Sequence, residues 1–423
     1  MILPHLPLEL VAAHILLRLP VETLLRFRCV CKAWRDMVDD ASFRRAHLRR
    51  QKPCLLISPQ IVKTLPGEVT TGGLYLWVWE ESQKEEATLV HAMSGPSFLP
   101  RPAAGPWEVA AHDLAHCDGL VLVPAYSAVH LLNPATRRAV TLPPSLHRPH
   151  VVGRPRAIGH QALGLGLDPR SNAYKVARFS YRSSDKPSGS GRKYTIGMEV
   201  LTVRIPTQPP HYWRWRETST PPPYPVMPGR TATFFKGSLF WTIDESLFQD
   251  ATTTVAPGFM RFRLDDESFG VTPPPPCRRR IDYQATTLSE LSGELCLCVP
   301  QEFAPDQVDE SYELWVCHGM DMDDEQGQGP RWERRHVIVG YPVFQGLRGL
   351  RPMAADADSI LLYGGTCPCL CRCDRRTQET TSRFYADVHH LRYHHPDTGT
   401  LVDYKKNVCD FNITPYTPSL VPL

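Results

Sequence analysis

Hydrophobic positions in the first fifty residues recur at three- and four-residue steps, and beyond Pro53 that spacing gives way to short apolar runs cut by glycine and proline. Leu8, Val11, Ile15 and Leu19 fall on one helical stripe, which Pro7 can open and Pro20 stops. A second helix is expected from Pro20 onward: Val21, Leu24, Leu25 and Arg28 share one side, and Cys31, Trp34 and Val38 continue the stripe. A break near Asp39-Asp40 precedes a third short helix from Ser42 to Arg50, and Pro53 forces its end at or before Lys52. No glycine interrupts this stretch.

A unit of about 45 residues buries too small a fraction of its surface to be robust alone, so it should lean on another surface. Leu6, Leu10, Leu16 and Leu17 lie off the main stripe of the first helix. Such spare apolar positions either dock a partner or pack against the rest of the chain.

From Cys54 onward the pattern is that of an all-β fold. A turn followed by an apolar strand occurs four times, at Cys117-Asp118-Gly119-Leu120, Lys236-Gly237-Ser238-Leu239, Ser292-Gly293-Glu294-Leu295 and Ala357-Asp358-Ser359-Ile360. Leu163 to Leu167 with Tyr174 to Ala177 adds a strand pair midway between the first two. A second recurring element is a strand, an Asp/Asn/Pro/Ser/Thr turn and a returning strand. It appears at Leu132 to Thr136, Leu167 to Ser171, Leu264 to Ser268, Cys373 to Thr377 and His395 to Gly399. Units of a few antiparallel strands repeating every ~50 residues have the period of a kelch-like propeller blade, and the length available predicts six or seven blades.

Composition sharpens the picture. The 41 prolines among 423 residues are about twice the usual share, which excludes a mostly helical chain and suits many short strands joined by rigid turns. A net charge of +3 supplies no field to hold nucleic acid or an anionic membrane, so neither is expected as a partner. Thirteen scattered cysteines read as reduced thiols of an intracellular protein, cytoplasmic or nuclear. The opening apolar run has no basic leader and contains Glu9, His14 and Arg18, which argues against an export signal. No uninterrupted apolar stretch is long enough to span a bilayer; the best, Gly119 to Leu132, is broken by Pro124 and His130.

The helical segment resembles an F-box. The resemblance is carried by Leu6-Pro7-x-Glu9-Leu10, Ile15-Leu16-x-Arg18-Leu19-Pro20-Val21, Leu24-Leu25-Arg26-Phe27-Arg28-Cys29-Val30-Cys31-Lys32-x-Trp34 and Phe43. It implies a three-helix module, residues 1–50, that docks a Skp-type adaptor and through it a cullin-RING ubiquitin ligase. By position, the implied docking residues are Leu6, Pro7, Leu10, Ile15, Leu16, Leu19, Pro20, Leu24, Leu25, Cys29, Val30 and Trp34, some of which should prove internal core. Residues 54–423 form the expected second domain, which over roughly residues 100–405 resembles the F-box-associated domain of a large plant family. The carrying phrases are the Cys-Asp-Gly-Leu strand, the Asn-Pro-Ala-Thr-Arg-Arg turn leading to Leu142-Pro143-Pro144, the run from Asp168-Pro169 to Tyr174-Lys175-Val176, Gly-Ser-Leu-Phe-Trp, and Leu314-Trp315-Val316 before Trp332. Cys54 to Pro100 is expected to form the first blade.

Candidate chemistry is sparse. Cys367-x-Cys369-x-Cys371-x-Cys373 on a strand would place four thiols on one face over about 20 Å, too spread for one tetrahedral zinc. Bending at Pro368 could bring two pairs together with His389, His390, His394 or His395, but the spacing lacks the usual separation and no metal or cofactor is expected. Asp321 to Glu325 has no Gly and Glu where a calcium loop needs them, and Ser188 to Lys193 lacks phosphate-loop spacing. Arg44, Arg45, Arg49, Arg50 and Lys52 read as a solvated basic face. No nucleophile-base arrangement or carboxylate pair stands out. The expectation is a non-catalytic substrate receptor: a small all-α F-box followed by a large all-β propeller that holds an unidentified protein substrate. The competing expectation is a propeller enzyme, or a carbohydrate- or metal-binding protein, whose helices only cap the β domain.

Overall fold

The computed structural model describes residues 8–60, 73–80, 87–94, 113–125, 128–145, 162–183, 194–204, 209–227, 230–244, 258–277, 281, 286, 288–301, 309–320, 329–342, 350–364, 369–377, 380–387, 392–394, 401–403 and 410–423. Leu6, Pro7, Cys367, His389, His390, His395, the acidic run at 321–325 and the glycine-serine run at 188–193 lie outside them.

The helical segment contains four helices where the spacing predicts three: α1 (Leu8–His14), α2 (Val21–Phe27), α3 (Lys32–Asp39) and α4 (Ala41–Leu48), with a 3₁₀ turn at Leu16–Arg18. The expected second helix breaks at Arg28 to Cys31, where Cys29 and Val30 close short turns onto Arg26 and Phe27 and Cys31 is extended. The reason is packing. A straight helix would set Val38 about 25 Å from Val21, yet both are buried with Leu16, Leu17, Leu24 and Phe43 in one core. Reversal also brings Phe27 edge-on to Trp34, with ring centroids 5.1 Å apart. Asp40 caps α4 by accepting from the amides of Ser42 and Phe43, both at 2.9 Å. Asp39 pairs with Arg28 at 2.8 Å and with Arg44 at 3.0 Å. Buried His47 donates from Nε2 to the Leu19 carbonyl at 2.8 Å, and burial pushes its pKa down.

The rest is a six-bladed β-propeller. The chain first lays down β1 (Cys54–Gln60), β2 (Gly73–Trp79) and β3 (Thr88–Ser94). Blade 2 follows as β4 (Ala115–Cys117), β5 (Leu120–Pro124), β6 (Val129–Asn133) and β7 (Arg138–Thr141), and blade 3 as β8 (Leu163–Leu167), β9 (Tyr174–Ser183), β10 (Tyr194–Val203) and β11 (Trp215–Glu217). Blade 4 is β12 (Thr233–Phe235), β13 (Ser238–Thr242), β14 (Phe259–Arg263) and β15 (Phe269–Thr272). Blade 5 is β16 (Leu288–Leu291), β17 (Glu294–Pro300), β18 (Asp309–His318) and β19 (Arg331–Pro342). Blade 6 is β20 (Leu350–Ala355), β21 (Ser359–Gly364), β22 (Cys369–Asp374) and β23 (Thr380–Asp387). After a two-stranded hairpin of β24 (Arg392–His394) and β25 (Leu401–Asp403), β26 (Asp410–Tyr416) pairs antiparallel with β1 and becomes the innermost strand of blade 1. Cys54 onward therefore supplies only three strands of the first blade, and the ring closes between residues at least 350 positions apart.

Strands such as β5 and β13 read as continuous apolar runs because both of their faces are buried between blades. Leu120 and Leu122 face blade 3, while Val121 and Val123 face blade 1. Six such inter-blade cores complete the ring. Three of the repeated glycine turns join an inner strand to its neighbour through two residues of positive φ: Asp118 (52°) and Gly119 (83°), Lys236 (43°) and Gly237 (71°), Ser292 (52°) and Gly293 (84°). This mirror-image turn matches the right-handed twist of paired strands. The Asp168-Pro169 turn joins β8 to β9 and so belongs with that set by position, whereas the turns at Asn133, Asp265 and Asp374 join third to fourth strands. The sequence pattern did not separate the two classes.

Candidate functional site

The helices sit on the end of the propeller that carries these short turns. Their core includes Ala135, from the turn between β6 and β7, and Leu420, from the segment Thr417 to Leu423 that follows β26. That segment is held by Asn133, which is fully buried. Asn133 Nδ2 donates to the carbonyls of Ser419 (3.1 Å) and Val421 (2.8 Å), while Oδ1 accepts from the amides of Ala135 (3.1 Å) and Thr136 (3.3 Å). The Ala135 amide also donates to the hydroxyl of buried Tyr416 at 3.2 Å. Next to it, His116 Nε2 accepts from the amides of Gly119 (2.9 Å) and Thr417 (3.3 Å), which fixes the proton on Nδ1. Burial lowers the His116 pKa to about 4. Gly119 is required twice over: its φ is +83°, and a Cβ there would lie 2.2 Å from Ser419 Oγ. The Cys-Asp-Gly-Leu and Asn-Pro-Ala-Thr phrases thus share one local task, seating residues 417–423 under the helices.

Two other phrases are clamps. Trp215 Nε1 on β11 donates to the Pro143 carbonyl in the connector from blade 2, and Trp332 Nε1 on β19 donates to the Pro273 carbonyl in the connector from blade 4, each at 2.7 Å. Trp215 also lies under the guanidinium of Arg178, 4.4 Å from the ring centroid. Arg178 pairs with Glu199 at 2.7 Å, both wholly buried, and Glu199 accepts from Ser145.

The helical residues implied in docking divide cleanly. Leu16 and Leu24 are 0% exposed and form the module's own core. Leu19, Leu25 and Trp34 are half-buried against it. Leu10 (46% exposed), Ile15 (48%) and Val30 (63%) are three of the five exposed large hydrophobic side chains among the described residues, and Pro20 and Cys29 are exposed as well. Packing on the propeller therefore does not use up the module's apolar surface, so the two fates expected for its spare positions are not exclusive.

The inner strands of five of the six blades border a half-open cavity of about 380 Å³. It is lined by residues of β4, β12, β16, β20 and β26 and their turns, including Asp113, His116, Asp118, Lys236, Glu290 and Arg351. Asp118 accepts from the Tyr174 hydroxyl at 3.2 Å, although burial raises its pKa. In the cysteine run, Cys371 and Cys373 occupy one face of β22 as period two requires, and both are buried in the core between blades 5 and 6 with Cys296 and Cys298. Burial pushes the Cys373 thiol up to about 11 and the Cys296 thiol to about 12. Among the described residues no group of three or more His, Cys, Asp or Glu is placed to hold a metal, and no helix is long and apolar enough to cross a membrane. Sequence reasoning missed Asn133, His116 and Leu420 as the coupling between helices and propeller.

Helical docking module and propeller together define the class of the F-box proteins with an associated propeller domain. The family model described as the F-box domain matches residues 3–46, and that of the F-box associated beta propeller domain matches residues 92–423. The chain belongs to this family. An F-box/kelch-repeat protein of Arabidopsis thaliana is 25% identical over 244 residues, covering 54% of this chain and 93% of that one. An F-box protein of the same plant is 26% identical over 338 residues, covering 72% and 78% respectively. Among solved structures, a chain in the crystal structure of a nidogen/laminin complex aligns with 87% of this chain and all of its own at 11% identity and a TM-score of 0.40.

Proposed function

We propose that this protein is the substrate receptor of a Skp-cullin-F-box ubiquitin ligase: the helices dock a Skp-type adaptor, and the propeller presents a protein substrate. The observation that carries the proposal is the cluster of exposed apolar residues Leu10, Ile15 and Val30 on a module that already has a closed core and a separate contact with the propeller. A cap with no further partner has no use for it. In this reading the chain carries no catalytic step, and transfer of ubiquitin takes place on other subunits.

The test is capture of a Skp-type adaptor by the full chain and by the variant Ile15→Asp, Val30→Asp. Wild type should retain the adaptor and the variant should lose it, with amide exchange in α2 and α4 unchanged. Equal capture, or no capture by either, overturns the proposal.

A further inference from the structure

We infer that the start of the connector from blade 4 to blade 5 is a docking ligand for an SH3-type domain, presented as a short polyproline II helix whose outward edge is Pro273 and Pro276. The run Thr272-Pro273-Pro274-Pro275-Pro276-Cys277 begins at the last residue of β15. Ring closure holds each proline at a φ of about −65°, and every residue from Thr272 to Pro275 stands before a proline, which pushes its ψ into the extended range. Together these two restrictions define the polyproline II helix, with three residues per turn.

Burial repeats with that period. Thr272 and Pro275 are buried, Pro273 and Pro276 are exposed, and Pro274 and Cys277 are half-buried. One edge of the helix therefore lies against the propeller, and the edge of Pro273 and Pro276 faces solvent. The Trp332 indole holds the Pro273 carbonyl, and the Cys277 amide donates back to the Pro275 carbonyl at 2.8 Å, a tight turn that ends the helix. The clamp does not itself call for four prolines. The connector from blade 2 is held by Trp215 in the same way and has only Pro143 and Pro144 before Ser145. The other proline run, Pro221 to Pro225, bends at Pro223 and Tyr224 and so offers no continuous edge.

SH3 domains dock Pro-x-x-Pro segments in grooves lined by aromatic side chains, and they exploit a helix that is already formed. Pro273 and Pro276 stand in that relation, about 9 Å apart along the helix axis. Because the rings and the clamp fix the conformation beforehand, docking costs little ordering entropy. The sequence continues directly into Arg278, Arg279 and Arg280, so charge favours a groove flanked by carboxylates. Crossings between blades lie at the end of the propeller opposite the helices, so the inference does not rest on the adaptor reading.

The experiment passes the purified full chain over an array of purified SH3 and WW domains. Wild type is compared with the double variant Pro273→Ala, Pro276→Ala and, as a control in the other clamped connector, with Pro144→Ala. At least one SH3 domain should retain wild type and Pro144→Ala alike and bind the double variant at least tenfold more weakly. A synthetic peptide of residues 271–280 should displace wild type from that domain, and the same peptide carrying Pro273→Ala and Pro276→Ala should not. Thermal unfolding shows whether the double variant is folded; should it fail to fold, the two peptides decide. Retention of wild type by no SH3 domain or by WW domains alone, equal retention of a folded double variant, or equal displacement by the two peptides overturns the inference.

Discussion

Replacing Asn133 should loosen the helices from the propeller while leaving the six blades intact. The side chain makes five hydrogen bonds at once, three as donor to the chain after β26 and two as acceptor within its own turn. In Asn133→Ala the Ala135 amide keeps Tyr416 as a partner, and the half-buried Val421 carbonyl can reach water. The Ser419 carbonyl cannot, because Ser419 is 1% exposed. One stranded carbonyl costs about 1–3 kcal/mol, and loss of the remaining bonds about 1 more. Opening of residues 417–423 should therefore become easier by about 3 kcal/mol, or roughly 100-fold in the opening equilibrium. Amide exchange read by mass spectrometry should accelerate by that order over 417–423 and, because Leu420 is part of their core, over α2 and α4. Exchange in β13 and β17 should stay as it was. Asn133→Asp should be worse near neutral pH, since it sets a carboxylate against the two carbonyls the amide served. Unchanged exchange over 417–423 in both variants would refute the claim that Asn133 holds the coupling.

Leu24→Ala should cost the helical module about 2–5 kcal/mol by emptying a fully buried site, so adaptor binding falls through unfolding of α2, whereas Ile15→Ala and Val30→Ala should weaken binding with the module folded. Isothermal titration of the adaptor alongside amide exchange separates the two, and a well-folded Leu24→Ala module would defeat this assignment. Acidification should weaken the same coupling. The folded-state pKa of His116 is depressed to about 4 from 6.5, so the unfolded state binds the proton first. Stability is then complete above pH 6.5 and falls toward pH 4, by up to about 3 kcal/mol at acid pH; a His116→Gln variant whose stability falls identically with pH would rule His116 out. Exposed Cys29 and Cys31 should alkylate quickly in the folded protein, and Cys296, Cys298 and Cys373 only on unfolding. Adaptor bound at the proposed surface should slow Cys29, as peptide mass mapping would reveal.

What could be read from the sequence was what is local. Helical spacing before Pro53 and two-residue glycine turns after it are dictated by neighbouring residues, so the class of both regions and the blade period were visible. The break at Arg28 to Cys31 was not, because no glycine or proline marks it; the chain turns there to bring Val38 back to Leu24, a tertiary demand that overrides continuous helical spacing. The pairing of β1 with β26 likewise leaves no local trace, since an innermost strand looks the same whichever end of the chain supplies it. The twelve docking positions carried a stripe and a resemblance, but a stripe does not say which of its leucines face inward. Only the core places Leu16 and Leu24 inside and leaves Ile15 and Val30 outside. Nor could the Asn-Pro-Ala-Thr phrase disclose more than a turn: the carbonyls that Asn133 serves are more than 280 residues further along.

The geometry also constrains how a receptor of this build would work. In a four-stranded antiparallel blade the first and third connections lie at one end and the second connection, with the crossing to the next blade, at the other. The helices contact the first end, through Ala135 and the segment seated by Gly119. Connections there are short, two residues at Asp118-Gly119, Lys236-Gly237 and Ser292-Gly293. The strand ends joined by the long stretches 95–114, 142–162, 243–258 and 273–287 belong to the opposite end. A substrate held at that end would be kept away from the adaptor by the full height of a blade. The rigidity of that spacing would depend less on the helices themselves than on Asn133, His116 and Gly119 beneath them. A loosened coupling should then lower ubiquitin transfer to a bound substrate more than it lowers binding of either partner, which makes Asn133→Ala a variant that separates geometry from affinity.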